Sequence, residues 1–122
     1  MWEVKLHTEV EAWFLDLCVT DPVSADLVAE AIELLAVHGP ALGRPVVDRL
    51  RGSTYHNMKE LRPGSAGASE IRMIFAFDPA REVLFLVAGD KAGQWHRWYR
   101  SAIPLADARF AAHLAALGGK HS

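Results

Sequence analysis

Three strand-like runs joined by short turns occupy the centre of this 122-residue chain. They are Asn57–Arg62, Ser69–Phe77 and a run from Glu82 to Ala88, linked by Pro63-Gly64 through Gly67 and by Asp78-Pro-Ala-Arg81. Connections of this length cannot hold a crossover helix, so the three runs must pair as an antiparallel meander. A fourth candidate strand, Val46–Leu50, follows the loop Gly39–Pro45. Whatever precedes and follows must therefore pack on an antiparallel sheet.

The flanking segments supply that packing. Trp2–His7 alternates apolar and polar residues and is predicted to be a short strand. Thr8, with Glu11 three residues later, has the pattern of a capping box opening a helix whose apolar stripe is Trp13, Phe14, Leu17 and Cys18. Cys18 is the only cysteine, which excludes a disulfide and makes it a small core residue by expectation. Asp21-Pro22 is a second helix start, with Leu27, Val28, Ala31, Leu34 and Leu35 at helical spacing and Gly39-Pro40 as the stop. Near the C-terminus, Trp95–Ile103 reads as helical, Pro104 as an interruption, and Leu105–Leu117 as a continuation with Phe110, Leu114 and Leu117 inward.

The predicted fold class is α+β: an N-terminal strand, a two-helix hairpin, an antiparallel sheet of three to four further strands and a C-terminal helix. With 51% hydrophobic residues, residues 1–122 suffice for a single domain with one core. The helix hairpin is expected to cover one sheet face and leave the other open for chemistry. The N-terminus lacks the pattern of a secretion signal, and no segment is apolar for long enough to span a bilayer, so a cytoplasmic location without membrane association is expected.

Net charge is -2, which argues against a nucleic-acid binder until the charges are placed. Residues 1–43 hold one base and eight acids, while residues 44–122 hold twelve bases and seven acids. A molecule with two electrically distinct sides is expected. Alternation sorts the side chains further: with Leu61 inward, Met58, Glu60 and Arg62 point to the opposite face, as does His56 just before them. In the next strand, Ile71, Met73, Phe75 and Phe77 form one face and Glu70, Arg72 and Ile74 the other. Arg62 and Arg72 can thus share a face, with Lys91 at the end of the last strand and Tyr99 beyond it. These cations outline a site for an RNA phosphate.

Glu60 is either a general base or a structural partner of Arg62, and His56 and His96 are alternative proton carriers. The six histidines show no metal-ligand spacing with Asp, Glu or Cys, and no phosphate-cradling glycine loop is present, so no metal or cofactor is expected. The run Trp95-His-Arg-Trp-Tyr-Arg100 mixes aromatics and bases as base-stacking surfaces do, while core packing explains at least one tryptophan equally well.

Leu50-Arg-Gly52, Glu60-Leu-Arg62, Glu70-Ile-Arg-Met-Ile-Phe75 and Val87-Ala-Gly-Asp-Lys91, in this order and spacing, resemble the RelE/ParE toxin superfamily and within it the HigB-like, phage Gp49-like group. The resemblance implies a RelE-like fold and the toxin half of a type II toxin–antitoxin pair, a ribosome-dependent mRNA endonuclease that inhibits translation without a metal. It implies that Arg72 holds the scissile phosphate, that Lys91 and Arg62 are further basic groups of the site, and that Tyr99 is the aromatic of the terminal helix. The expected partners are the ribosome, mRNA and a cognate antitoxin, in this group commonly a helix-turn-helix, HigA-like protein. The chain departs from the pattern on the middle strand, where some RelE-like toxins carry paired lysines and this one has Met58 and Glu60. A ParE-like, non-nucleolytic inhibitor of DNA gyrase and a catalytically silent binding module are the alternatives.

Overall fold

The computed structural model describes residues 1–119. Its elements are β1 (Glu3–Leu6), α1 (Thr8–Thr20), α2 (Pro22–His38), a single 3-10 turn (Gly39–Ala41), β2 (Val47–Arg49), β3 (Lys59–Leu61), β4 (Ile71–Phe77), β5 (Glu82–Asp90) and α3 (His96–Gly119). The sheet runs β1-β5-β4-β3-β2. All pairings are antiparallel except β1 with β5, which run parallel. The α+β architecture is that of a RelE-like fold. Among the described residues, no helix is long and apolar enough to cross a membrane.

Asp21 caps α2 as its sequence predicts, accepting the Ser24 N–H at 3.2 Å with Pro22 in the first helical turn. At the far end Gly39 adopts φ 55°, and a side chain there would collide with the Trp2 indole that lies against it. The start of α1 differs from the expectation: Thr8 is already helical and His7 is the cap, its Nδ1 accepting the Glu9 N–H at 3.1 Å. That bond needs an unprotonated Nδ1, and burial together with the nearby Arg109 charge holds the His7 imidazole below its ordinary range.

The hairpin α1–α2 covers one sheet face. Val10, Val28 and Leu35 pack on Leu61, Ile71, Met73, Phe75, Val83 and Phe85. The opposite face, expected to be open, is instead covered across its centre by α3. Ala102, Ala106 and Phe110 pack on Ile74, Ala76, Leu84 and Leu86. The small side chains of Ala102 and Ala106, four residues apart, bring the helix close to the sheet, and a search for large apolar residues overlooks them. Covered on both sides, β4 reads as a nearly unbroken apolar run rather than an alternating one.

Two further expectations are corrected. Pro104 does not interrupt α3, which is continuous from His96. Pro104 and Arg100, whose carbonyl loses its usual donor, are both exposed, so water can take that acceptor. Cys18 is exposed rather than in the core. The inward residues of α1 are Val10, Trp13, Phe14 and Leu17, which complete the stripe without it.

A bulge in β5 determines how α3 meets the sheet. Ile74 pairs with Val87 and Phe75 with Phe85, leaving Leu86 without a partner on β4. Arg109 of α3 donates from Nη1 to the Leu86 carbonyl at 2.7 Å. Beyond the bulge the parity of β5 is reversed. Leu84 and Leu86 face α3 before it, and Val87 and Gly89 face α3 after it. Gly89 is the floor for the Trp98 indole, since a Cβ there would lie 2.8 Å from Trp98 Nε1.

Replacing Gly89 by alanine should therefore lower the urea-unfolding free energy by about 1–3 kcal/mol, as overpacking does. Gly64→Ala, whose added Cβ meets Leu27 at an ordinary 3.5 Å, should stay within about 0.5 kcal/mol of the parent chain.

Candidate nucleic-acid interface

Because α3 crosses over β4 and β5, the β2–β3 end of that sheet face is left uncovered. A cleft of about 940 Å³ opens there, walled by β2, β3, the 51–56 loop, Lys91 and the first turns of α3. Its lining includes Arg44, Arg49, Arg51, Arg62 and Lys91 against two carboxylates, Asp48 and Glu60. A chain of net negative charge thus has a locally cationic cleft. The acids of the hairpin, Glu9, Glu11, Asp16, Asp26, Glu30 and Glu33, are exposed on elements packed against the other sheet face.

Glu60 is at the centre. Alternation along β3 sends Leu61 to the hairpin core and Glu60 to the α3 side, where only 3% of the residue is exposed. One carboxylate oxygen accepts the Tyr99 hydroxyl at 2.7 Å, and the other accepts Arg62 Nε at 2.9 Å. Asp48 pairs directly opposite Glu60 across β2–β3. Arg62 bridges the two acids, reaching Asp48 at 3.0 Å, and Arg44 holds the outer oxygen of Asp48 at 3.0 Å. The Arg49 backbone N–H, followed by Arg44, holds the Asp48 carboxyl below its usual range.

Tyr99 projects from the first turns of α3 beside the Trp98–Gly89 contact. Its phenol is pushed up to about 12, first by burial and then by the Glu60 hydrogen bond and charge, with Arg72 opposing. Lys91 reaches the cleft because the bulge at Leu86 turned its parity toward α3. Its ammonium lies 4.8 Å from the Trp95 ring centre and 5.2 Å from that of Tyr99. Burial first, then the Arg72 charge, lowers its pKa.

Arg72 is placed on the expected face but does not line the cleft. Its guanidinium donates to the Ile71 carbonyl at 2.8 Å and meets Glu70 at 3.4 Å, while its buried Nε has no hydrogen-bond partner. It acts on the cleft from behind, through the charge felt by Tyr99 and Lys91. His56 and His96 are exposed at the rim. Met58 is a fully buried core residue, and Lys59 is on the opposite parity, near the Phe77 ring.

Two arrangements were not legible from sequence. Asp107, two turns beyond Tyr99 on α3, accepts Ser53 Oγ at 2.6 Å and the Thr54 N–H at 2.9 Å. It anchors the loop carrying Arg51 and His56, and Tyr55 of that loop packs edge-on against Phe110. Away from the cleft, His113, Asp78 and Glu82 gather ligand-type atoms within 4.8 Å of one another. His113 is already bonded to Asp78 at 2.7 Å and Glu82 to Lys5 at 3.0 Å, and these contacts tie α3 and β1 to the β4–β5 turn. His121 lies outside the described residues.

Residues 16–111 match the family described as phage derived protein Gp49-like, and the chain belongs to that family. It is 55% identical over 106 residues to "Putative toxin HigB2" of Mycobacterium tuberculosis and 56% identical over 106 residues to "Putative toxin HigB3" of the same organism. Each match covers 87% of this chain; it covers 51% of HigB2, so the chain spans about half of that relative's length, and 88% of HigB3. No solved structure gives a significant match.

The Tyr99–Glu60 contact makes a spectroscopic prediction. In an alkaline absorbance titration Tyr99 should ionise near pH 12, and Glu60→Gln should bring that transition down by removing the adjacent negative charge. Since the folded pKa lies above the ordinary 10.0, the stabilisation from this contact should be complete below pH 10 and be lost as the pH rises toward 12.

Proposed function

We propose that this chain is the toxin of a type II toxin–antitoxin pair and acts as a ribosome-dependent mRNA endonuclease in the cytoplasm. The observation that carries the reading is the convergence of Arg62 and Lys91 with Glu60 and Tyr99 in one cationic cleft, backed by the charge of Arg72. Family membership supports the toxin role. The cleft supports phosphate chemistry, because phosphoryl transfer needs fixed cations at the developing negative charge and groups that move protons.

In the proposed reaction the 2′-oxygen of one nucleotide attacks the adjacent phosphorus and the bond from phosphorus to the 5′-oxygen breaks. The products are a 2′,3′-cyclic phosphate and a free 5′-hydroxyl. Glu60 is the acceptor for the 2′-hydroxyl proton. Arg62, now paired with two carboxylates, turns toward the phosphate oxygens, and Arg72 adds charge from behind. For the leaving oxygen, Lys91 is the better proton donor. Burial and Arg72 lower its pKa toward neutrality, whereas burial and Glu60 raise that of Tyr99 away from it. Tyr99 is then the group that orients Glu60 through its 2.7 Å hydrogen bond.

A toxin of this kind pairs with a small antitoxin, commonly a helix-turn-helix protein in the HigB-like group. Leu15, Val19, Val23 and Val37 are exposed on the hairpin. These apolar side chains support a covering partner on a surface distinct from the cleft.

The test is cleavage of a defined mRNA on purified ribosomes, with a ribosome-free control and a chelator. Cuts confined to the decoding-site codon, dependent on ribosomes and insensitive to the chelator, are expected. Arg62→Ala should slow them by about 10²–10³-fold, as loss of one transition-state donor does. Lys91→Arg, which keeps the charge but cannot release a proton, should slow them by about 10²-fold or more, and Arg72→Ala should also impair cutting. A folded protein that cuts nothing would transfer the assignment to gyrase inhibition or silent binding, which a supercoiling assay separates.

A further inference from the structure

We infer that Trp95 is a stacking platform for a nucleobase of single-stranded RNA next to the phosphate held in the cleft, an inference that deepens the endonuclease reading and rests on it. The aromatic run 95–100 splits in the structure. Trp98 is committed to packing, since its indole lies on Gly89 and its ring meets Tyr99 edge-on at 5.1 Å. Trp95 is 55% exposed, the most exposed aromatic side chain among the large hydrophobics on the surface. Trp95 belongs to neither of the core clusters on the two sheet faces.

The ring is nevertheless held in place. Trp95 has φ 44°, a left-handed backbone conformation that side chains other than glycine rarely adopt, and its N–H closes a turn onto the Lys91 carbonyl at 2.8 Å. Backbone strain kept at an exposed residue is characteristic of sites where orientation matters. The Lys91 ammonium lies over the ring at 4.8 Å and over Tyr99 at 5.2 Å, so the platform and the cleft share one cation. A phosphate drawn to Lys91 and Arg62 places its own nucleotide or the next beside Trp95. Arg97 and Arg100 are exposed on the following turn, where the strand would continue. An exposed aromatic flanked by cations along a strand path is how proteins hold bases without reading their identity. Trp95 would therefore contribute grip and register, and little base preference.

The probe is an mRNA carrying 2′-O-methyl groups across the decoding-site codon and its neighbours, so that binding to programmed ribosomes is read apart from cutting. Trp95→Ala keeps a Cβ, and with it the same backbone strain, and should weaken binding by roughly 5- to 100-fold, while Trp95→Phe should recover most of it. A series of mRNAs with one abasic nucleotide at successive positions should contain one that weakens the parent chain as much as Trp95→Ala does. That mRNA should cost Trp95→Ala almost nothing further. Unchanged binding by Trp95→Ala overturns the inference. So does a loss that adds fully to every abasic substitution, which would mean that Trp95 touches protein instead of a base, and so does a parent chain that binds no programmed ribosome. If binding behaves as expected but unmodified mRNA is not cut, the stacking assignment stands and the endonuclease reading falls.

Discussion

The extra residue in β5 and the arginine that holds it are what the remainder of the site depends on. In a regular antiparallel pair, residues of one parity stay on one face along the whole strand, and Lys91 would then have faced the helix hairpin with Val83 and Phe85. Leu86 breaks that parity, and Arg109 accounts for the carbonyl the break exposes, at 2.7 Å. Gly89 and Lys91 consequently face α3, Trp98 can pack against Gly89, and Tyr99 reaches Glu60. A bulge beside a functional cleft that re-aims a side chain is a recurrent device of β-structure. Here it redirects the end of a whole strand.

The cleft is cationic but not empty of anions. Arg62 is shared between Asp48 and Glu60, and Arg44 completes a chain of alternating charges along the β2–β3 end. A half-buried guanidinium held in this way is fixed on two carboxylates, and it meets any other anion only by giving up part of those pairings. The arrangement also makes Glu60 a placeholder: an oxyanion already occupies the region where the cations converge. Asp107 extends the same logic to the rim, since a single carboxylate on α3 fixes the loop that presents Arg51 and His56. Both walls of the cleft are thus referred to one helix.

Much of this arrangement is legible in residue order. The short turns force the meander, Asp21-Pro22 marks the start of α2, and alternation correctly places Glu60 and Arg62 opposite Leu61. Arg72 also falls on the predicted face, though set behind the cleft. What could not be read has identifiable physical causes. Cap placement at His7 rather than Thr8 turns on one imidazole nitrogen. The path of α3 over the sheet depends on two alanines and a glycine, residues that contribute by being small. Pro104 sits where losing a hydrogen bond costs little, so the helix passes through it. The bulge has no local signature in Phe85-Leu-Val-Ala, all of which suit a regular strand, and the parity of Lys91 was unreadable for that reason. Asp107 is separated from its partners by more than fifty residues.

The separation of charge between the hairpin and the cleft has a consequence for how the molecule moves before it touches anything. A body carrying its acids on one side of a sheet and its uncovered cations on the other has a large dipole moment even though its net charge is small. In the field of a polyanion such a body experiences a torque as well as a force. It would turn its cleft inward while still separated by a distance comparable to the Debye length, about 10 Å at 0.1 M salt. Approach with the hairpin leading is repelled by its own acids. Near a polyanion the molecule would therefore be turned before contact, and added salt would weaken that turning by shortening the range of the field.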